Sequence, residues 1–93
     1  MSAVKKTKPR RRIVYDPDLF IERVHLLRSE RGLSRVKMAK LVGTSANLIC
    51  WWETGRNNPS VFMLFRIARE FDVSVDWLIG LIDERKKLYE GEQ

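Results

Sequence analysis

The chain has 93 residues, 44% of them hydrophobic and 32% charged, with a formal net charge of +6. That is enough chain for one compact core but not for two, and the composition is that of a domain that folds rather than stays disordered. A single cysteine, Cys50, and a single histidine, His25, exclude a disulfide framework and a zinc ligand cluster.

No Gly-rich phosphate loop, Ser/His/Asp spacing or carboxylate pair is present, so the reading is of a non-enzyme that needs no cofactor and no metal. No apolar run approaches the roughly 18 residues of a bilayer span. Ile13, Val14 and Tyr15, which follow the basic start, are too short a stretch for a secretory signal. A cytoplasmic protein is expected, with no membrane partner.

Residues 1–14 hold Lys5, Lys6, Lys8, Arg10, Arg11 and Arg12 with no acid, and twelve acids balance the other twelve Lys and Arg. All the excess charge therefore sits in one terminal arm. A dense basic run without apolar periodicity is normally a mobile, disordered arm that meets a polyanion. A nucleic-acid backbone suits it, because each neutralised phosphate releases condensed counterions. A solubilising tail is the plainer alternative.

After the arm, Asp16-Pro17-Asp18 reads as a helix start, with acids at the positive end of the helix dipole. Phe20, Val24 and Leu27 recur at helical spacing, and this first helix stops at Gly32. Ser34 caps a second, with Val36, Ala39, Lys40 and Leu41 in its body and Gly43 at its end. Ser45 caps a third, running to about Thr54 and closed by Gly55.

Gly55-Arg56-Asn57-Asn58-Pro59 is a turn by composition. Ser60 then caps a fourth helix with Met63 or Leu64, Ile67, Ala68 and Phe71 inward. Ser74 caps a fifth, containing Val75, Leu78, Ile79 and Ile82. No strand pattern appears, so the fold class is all-α: five short helices with connections of two to six residues. The folded unit is expected over residues 15–82. The charged stretch 83–93 either extends the last helix or frays, and Gly80 argues against one continuous helix.

The most informative spacing lies between Ser34 and Gly55. Ala39 falls four residues before Gly43, Ile49 six after it, and Trp52 three beyond that. A small side chain at Ala39 lets two helices approach closely, and Gly43 can take positive φ. Ile49 and Trp52, at i and i+3, point into the core and fix the rotation of the third helix. The start and outer face of that helix are then left exposed, as insertion into a DNA groove requires.

With these residues in place the sequence resembles the helix-turn-helix domain of lambdoid phage repressors and Cro proteins, an XRE-like family widespread in bacterial regulators. The likeness covers about Phe20 to Gly80. It is carried by Leu27-Arg28, Gly32-Leu33-Ser34, Ala39, Leu41, Gly43, Ile49, Trp52-Glu53, Gly55 and Pro59-Ser60, and by the run from Phe71 to Leu78. It implies a five-helix lambda-repressor-like domain, with the helix-turn-helix itself at about 34–54. It also implies double-stranded DNA as partner and a homodimer on a two-fold operator.

The resemblance further implies which residues act. Ser45, Ala46, Asn47, Leu48 and Trp51 fall at or beside base-reading positions. Among them Asn47 can bond adenine N6 and N7 together, and Ala46, Leu48 and Trp51 can pack on thymine methyl groups. Ser34, Arg35, Thr54, Arg56 and Asn57 fall where the family contacts the DNA backbone. Arg28 and Glu53 are implied to form a partly buried ion pair, the alternative being two independent surface charges. The basic arm is implied to wrap the duplex, along the backbone or in an A·T-rich minor groove.

Two departures qualify the likeness. Arg35 stands where the family often has Gln, keeping a phosphate donor but losing an acceptor. Leu48, Cys50 and Trp51 stand on the reading helix where polar residues are usual. They leave specificity to shape and methyl contacts, or else make this face a protein-binding one, with Leu48 equally readable as core. Trp77 and Leu81 lie off the inward stripe of the fifth helix. With Leu88 and Tyr89 they are the candidate dimer patch; the alternative, which the resemblance favours for Trp77 itself, is that Trp77 closes its own core.

The leading expectation is thus a phage or bacterial transcriptional repressor, too short for a separate sensor domain. The alternative is a protein-interaction module on the same fold, an antirepressor or antitoxin that uses the Leu48/Cys50/Trp51 face.

Overall fold

Residues 15–88 are described by the computed structural model. Among them are five helices and no strand: α1 Pro17–Glu30, α2 Arg35–Val42, α3 Ala46–Glu53, α4 Val61–Phe71 and α5 Val75–Leu78. Each starts at a side chain able to satisfy an orphan backbone N–H. Asp16 accepts from the Asp18 N–H at 3.0 Å, and Ser34, Ser45, Ser60 and Ser74 accept from the N–H groups of Lys37, Leu48, Met63 and Trp77 at 3.1–3.2 Å. Replacing such a cap by alanine typically costs about 1 kcal/mol. Pro17 occupies the first turn of α1, where its missing N–H costs nothing.

The turn between α2 and α3 needs its glycine twice over. Gly43 has φ +87°, and its N–H bonds back to the Ala39 carbonyl at 2.8 Å. A Cβ there would also lie 2.7 Å from Nη2 of Arg66. That arginine reaches over from α4, and its Nε donates to the Val42 carbonyl at the end of α2.

The core is drawn from every helix: Phe20, Val24 and Leu27 of α1, Met38, Ala39 and Val42 of α2, Ile49 and Trp52 of α3, Ile67 and Phe71 of α4, and Trp77 and Leu78 of α5. Trp52 sits at its centre, fully buried, with its ring edge-on to Phe20 at 6.2 Å. Its Nε1 has no hydrogen-bond partner among the described residues, so Trp52 is held by packing alone. On α2 it is Met38 and Val42 that turn inward beside Ala39, while Val36 and Leu41 face solvent.

Trp77 follows the reading that the resemblance favours for it over the outer patch. It is buried in its own domain's core, because α5 ends at Leu78 and the chain after it is not helical. Ile82 therefore reaches the core from outside the helix. Arg23, on the inward stripe of α1, packs 5.0 Å from the Trp77 ring and donates to the carbonyls of Trp77 and Ile82. The Trp77 carbonyl, in the last turn of α5, also accepts from the Gly80 N–H at 3.0 Å, while Ile82 lies beyond the helix.

Residues 83–88 do not extend α5. They fold back over the α4–α5 connection, where the Ser74 N–H donates to the Lys86 carbonyl at 2.9 Å and the Leu88 N–H to Asp72 Oδ1 at 3.0 Å. Arg85 adds a 2.9 Å contact to Glu30 on α1, whose carboxyl that hydrogen bond holds below its ordinary value. No helix among the described residues is long and apolar enough to cross a membrane. The basic arm, Lys5 to Arg12, and Tyr89 lie outside the described residues.

Candidate nucleic-acid interface

The geometry of α3 follows from two side chains. Ile49 and Trp52 are fully buried, so the rotation of the helix about its axis has one setting. In that setting Ser45, Asn47 and Thr54 are exposed, and Trp51 is 41% exposed. Asn47 occupies the first turn, where the helix end carries partial positive charge. Ser34, at the start of α2, and Arg56 and Asn57, in the connection after α3, are exposed as well.

The other apolar residues of α3 are less available than the sequence implied. Leu48 is half-buried and packs against the core, and Ala46 is half-buried. Cys50 is half-buried too, with its Sγ 3.6 Å from Nη1 of Arg35. Of the three residues that suggested an apolar face, only Trp51 is exposed.

Glu53 anchors the rear of the helix. Its side chain is 2% exposed, and both carboxylate oxygens are engaged by arginine. Arg28 of α1 meets Oε2 through Nε at 2.6 Å and Oε1 through Nη2 at 2.9 Å, while its Nη1 holds the Leu33 carbonyl at 2.9 Å. Arg35 of α2 reaches Oε1 at 3.0 Å from both Nε and Nη2. His25 Nδ1 stands 3.7 Å from the same oxygen. One carboxylate thus ties α1, α2 and α3 together behind the exposed face.

Burial by itself pushes the Glu53 carboxyl up. The hydrogen bonds and charges of Arg28 and then Arg35 outweigh that and hold it below the ordinary carboxylate value. Arg28 is raised in turn, by its hydrogen bond to Glu53. A carboxylate with two guanidinium partners stays charged and fixed, which suits a positioning device.

Arg35, expected at a phosphate, therefore has its guanidinium turned to Glu53 and Cys50. Its dual position was missed because a second cation for Glu53 comes from a different helix. The inward arginine on α1 carried a usable signal: Arg23 falls three residues after Phe20 and four before Leu27, on the apolar stripe. Among the described residues no group of His, Cys, Asp and Glu could hold a metal ion. What the arrangement offers is an exposed helix face bearing an amide in its first turn and an indole in its last, with backbone N–H groups at the starts of α2 and α3.

The comparisons with known proteins agree on this architecture. The profile of the helix-turn-helix family matches residues 24–78. An uncharacterized HTH-type transcriptional regulator of Archaeoglobus fulgidus is 32% identical over 62 residues, which are 67% of this chain and 89% of that protein. A transcriptional regulator from Listeria innocua has a TM-score of 0.65 at 28% identity; the match covers 77% of this chain but only 64% of the Listeria chain. The P22 c2 repressor, solved in complex with a synthetic operator, has a TM-score of 0.64 at 26% identity and covers 67% of this chain and 94% of its own.

Proposed function

This chain belongs to the helix-turn-helix family of DNA-binding transcriptional regulators, and from that premise we propose that it is a sequence-specific repressor, of phage or bacterial type, acting in the cytoplasm as a homodimer on a two-fold operator. The observation that carries this reading is the outward placement of Asn47 and Trp51 on a helix whose rotation Ile49 and Trp52 fix. The task is binding rather than catalysis, and it calls on no cofactor.

In this reading α3 enters the major groove with its N-terminal turn against the base edges. Asn47 pairs with an adenine, and Ser45, Ala46 and Trp51 contact neighbouring bases, Trp51 through a thymine methyl. Leu48 contributes only the edge that its packing leaves free. Ser34, Thr54, Arg56 and Asn57 fix the register on phosphates, with the backbone N–H groups at the start of α2. Arg35 serves the phosphates with whatever donor capacity Glu53 leaves it. Lys5, Lys6, Lys8, Arg10, Arg11 and Arg12 add a sequence-independent contribution from the arm.

The P22 c2 repressor, similar in fold over most of its length, was solved on an operator, which supports an operator as the target here. The second reading, a protein-interaction module, loses support because Leu48 and Cys50 are half-buried. Selection of bound sites from a random duplex pool tests the proposal. A two-fold motif with half-sites about one helical turn apart is the expected outcome. Recovery of no motif, or binding that ignores salt, would overturn it.

A further inference from the structure

Val61, Phe62 and Phe65 of α4 are 82%, 59% and 53% exposed, while Ile67, Ala68 and Phe71 fill the inward side of the same helix. Phe62 and Phe65 stand at i and i+3, and Val61 and Phe65 at i and i+4, so the three adjoin on the helix surface. The neighbouring helix α2 carries the patch further. Its exposed Leu41 shares with Phe65, Arg66, Arg69 and Glu70 a groove of about 290 Å³. Apolar area of this kind on a small protein marks a contact.

The charges around the groove say what chemistry covers it. Helix α2 holds Arg35, Lys37 and Lys40 and no acid, and the one acid of α4, Glu70, already pairs with Arg31 of α1 at 3.7 Å. Arg35 is turned to Glu53, and Arg66 is spent on the Val42 carbonyl and the Phe62 ring. Lys37 and Arg69 are exposed, and neither side chain has a hydrogen bond or ion pair among the described residues. Lys37 stands four positions before Leu41 and Arg69 four after Phe65, so each lies beside an apolar residue of the groove. The apolar strip is thus bordered by an unpaired cation on each helix, and the carboxylate at its edge is already engaged.

We propose that this face receives an acidic amphipathic helix of a partner protein. The partner's apolar stripe lies over Leu41 and Phe65 in the groove between α2 and α4, and carboxylates on its flanks meet Lys37 and Arg69. A second copy of this chain would set these cations against their own kind. A duplex would satisfy the cations and leave Val61, Phe62 and Phe65 uncovered, and a lipid surface does not follow a groove between two helices. None of the four residues is among those assigned above to bases or phosphates, so this is a second site.

The test is fluorescence anisotropy on the full chain with three labelled peptides of equal length. The first carries leucines at helical spacing among glutamates. The second has those leucines replaced by glutamine, and the third has the glutamates replaced by lysine. The first is expected to bind about 10-fold more tightly than either of the others. Because the basic arm attracts any polyanion, the deciding variant is Phe65→Ser, which removes no charge. It should weaken the first peptide about 10-fold and leave the second where it was. Arg69→Glu should weaken the first at least as much, and Leu81→Ser, on the exposed chain after α5, should not. Thermal unfolding of Phe65→Ser that matches the wild type separates a lost contact from a lost fold; where it does not match, Arg69→Glu carries the test.

Equal binding of the leucine and glutamine peptides, or a leucine peptide indifferent to both Phe65→Ser and Arg69→Glu, would overturn the proposal. So would a sedimenting dimer, an affinity for random duplex or binding to phosphatidylglycerol vesicles that Phe65→Ser abolishes, each of which names a different occupant. No operator enters the peptide measurement, so its outcome is independent of site selection.

Discussion

The outer faces of α3 and α4 are both left uncovered by the described residues, but they are built on different lines. Behind α3 stands a buried carboxylate with two guanidinium partners, and in front of it an amide and one indole. Behind α4 stand the buried Ile67, Ala68 and Phe71, with Arg66 tying the helix to the Val42 carbonyl, and in front two phenylalanines and a valine. The first face has its rotation set by buried Ile49 and Trp52, a charged anchor behind it and an amide in front, which suits reading a base. The second offers apolar area with no hydrogen-bonding group at its centre. Exposure alone does not separate them; what holds each helix from behind does.

The largest effect should come from the anchor of the first face. Glu53→Ala strands Arg28 and Arg35 and is expected to cost about 3–5 kcal/mol in urea unfolding. A loss under 1 kcal/mol would mean that α3 is fixed by Ile49 and Trp52 alone. The same anchor gives a pH signature. The native carboxyl titrates below its ordinary value of 4.5, so the folded state binds fewer protons than the unfolded one in that range. The stabilisation is complete above that value and is lost as pH falls through the lowered native one. Glu53→Gln should flatten the wild-type slope there, and an unaltered slope would assign it to other carboxylates.

Next is the arm. Deleting residues 1–12 should weaken binding to every duplex and reduce the log–log salt slope by up to about 5, one increment for each phosphate no longer neutralised. An unchanged slope would confine the electrostatics to the folded unit. Asn47→Ala should then lower affinity for the selected operator by about 1–3 kcal/mol while leaving random duplex unaffected. Equal losses on both would reduce Asn47 to a backbone contact. Smallest of all, Phe62→Ser should change monomer stability by less than about 1 kcal/mol, the worth of the Arg66 contact. A larger loss would place α4's outer face in the fold rather than outside it.

The helix starts were legible because capping is local. Asp16, Ser34, Ser45, Ser60 and Ser74 each bond an N–H within three residues. Ile49 and Trp52 were legible because their spacing about Gly43 admits one inward face. Trp77 was left between an outer patch and its own core because its stripe was read along a helix longer than the four residues that form. Phe62 and Phe65 went unremarked because apolar periodicity says that a residue favours cover, not which surface supplies it.

From sequence alone came five helices, their caps and the outward turn of Asn47, all set by interactions spanning a few residues. Only the assembled fold decided which arginines serve as clamps. Arg23, Arg35 and Arg66 find partners 54, 18 and 24 residues away. A guanidinium's choice among carbonyls and carboxylates depends on which helix ends converge, and no local pattern encodes that convergence.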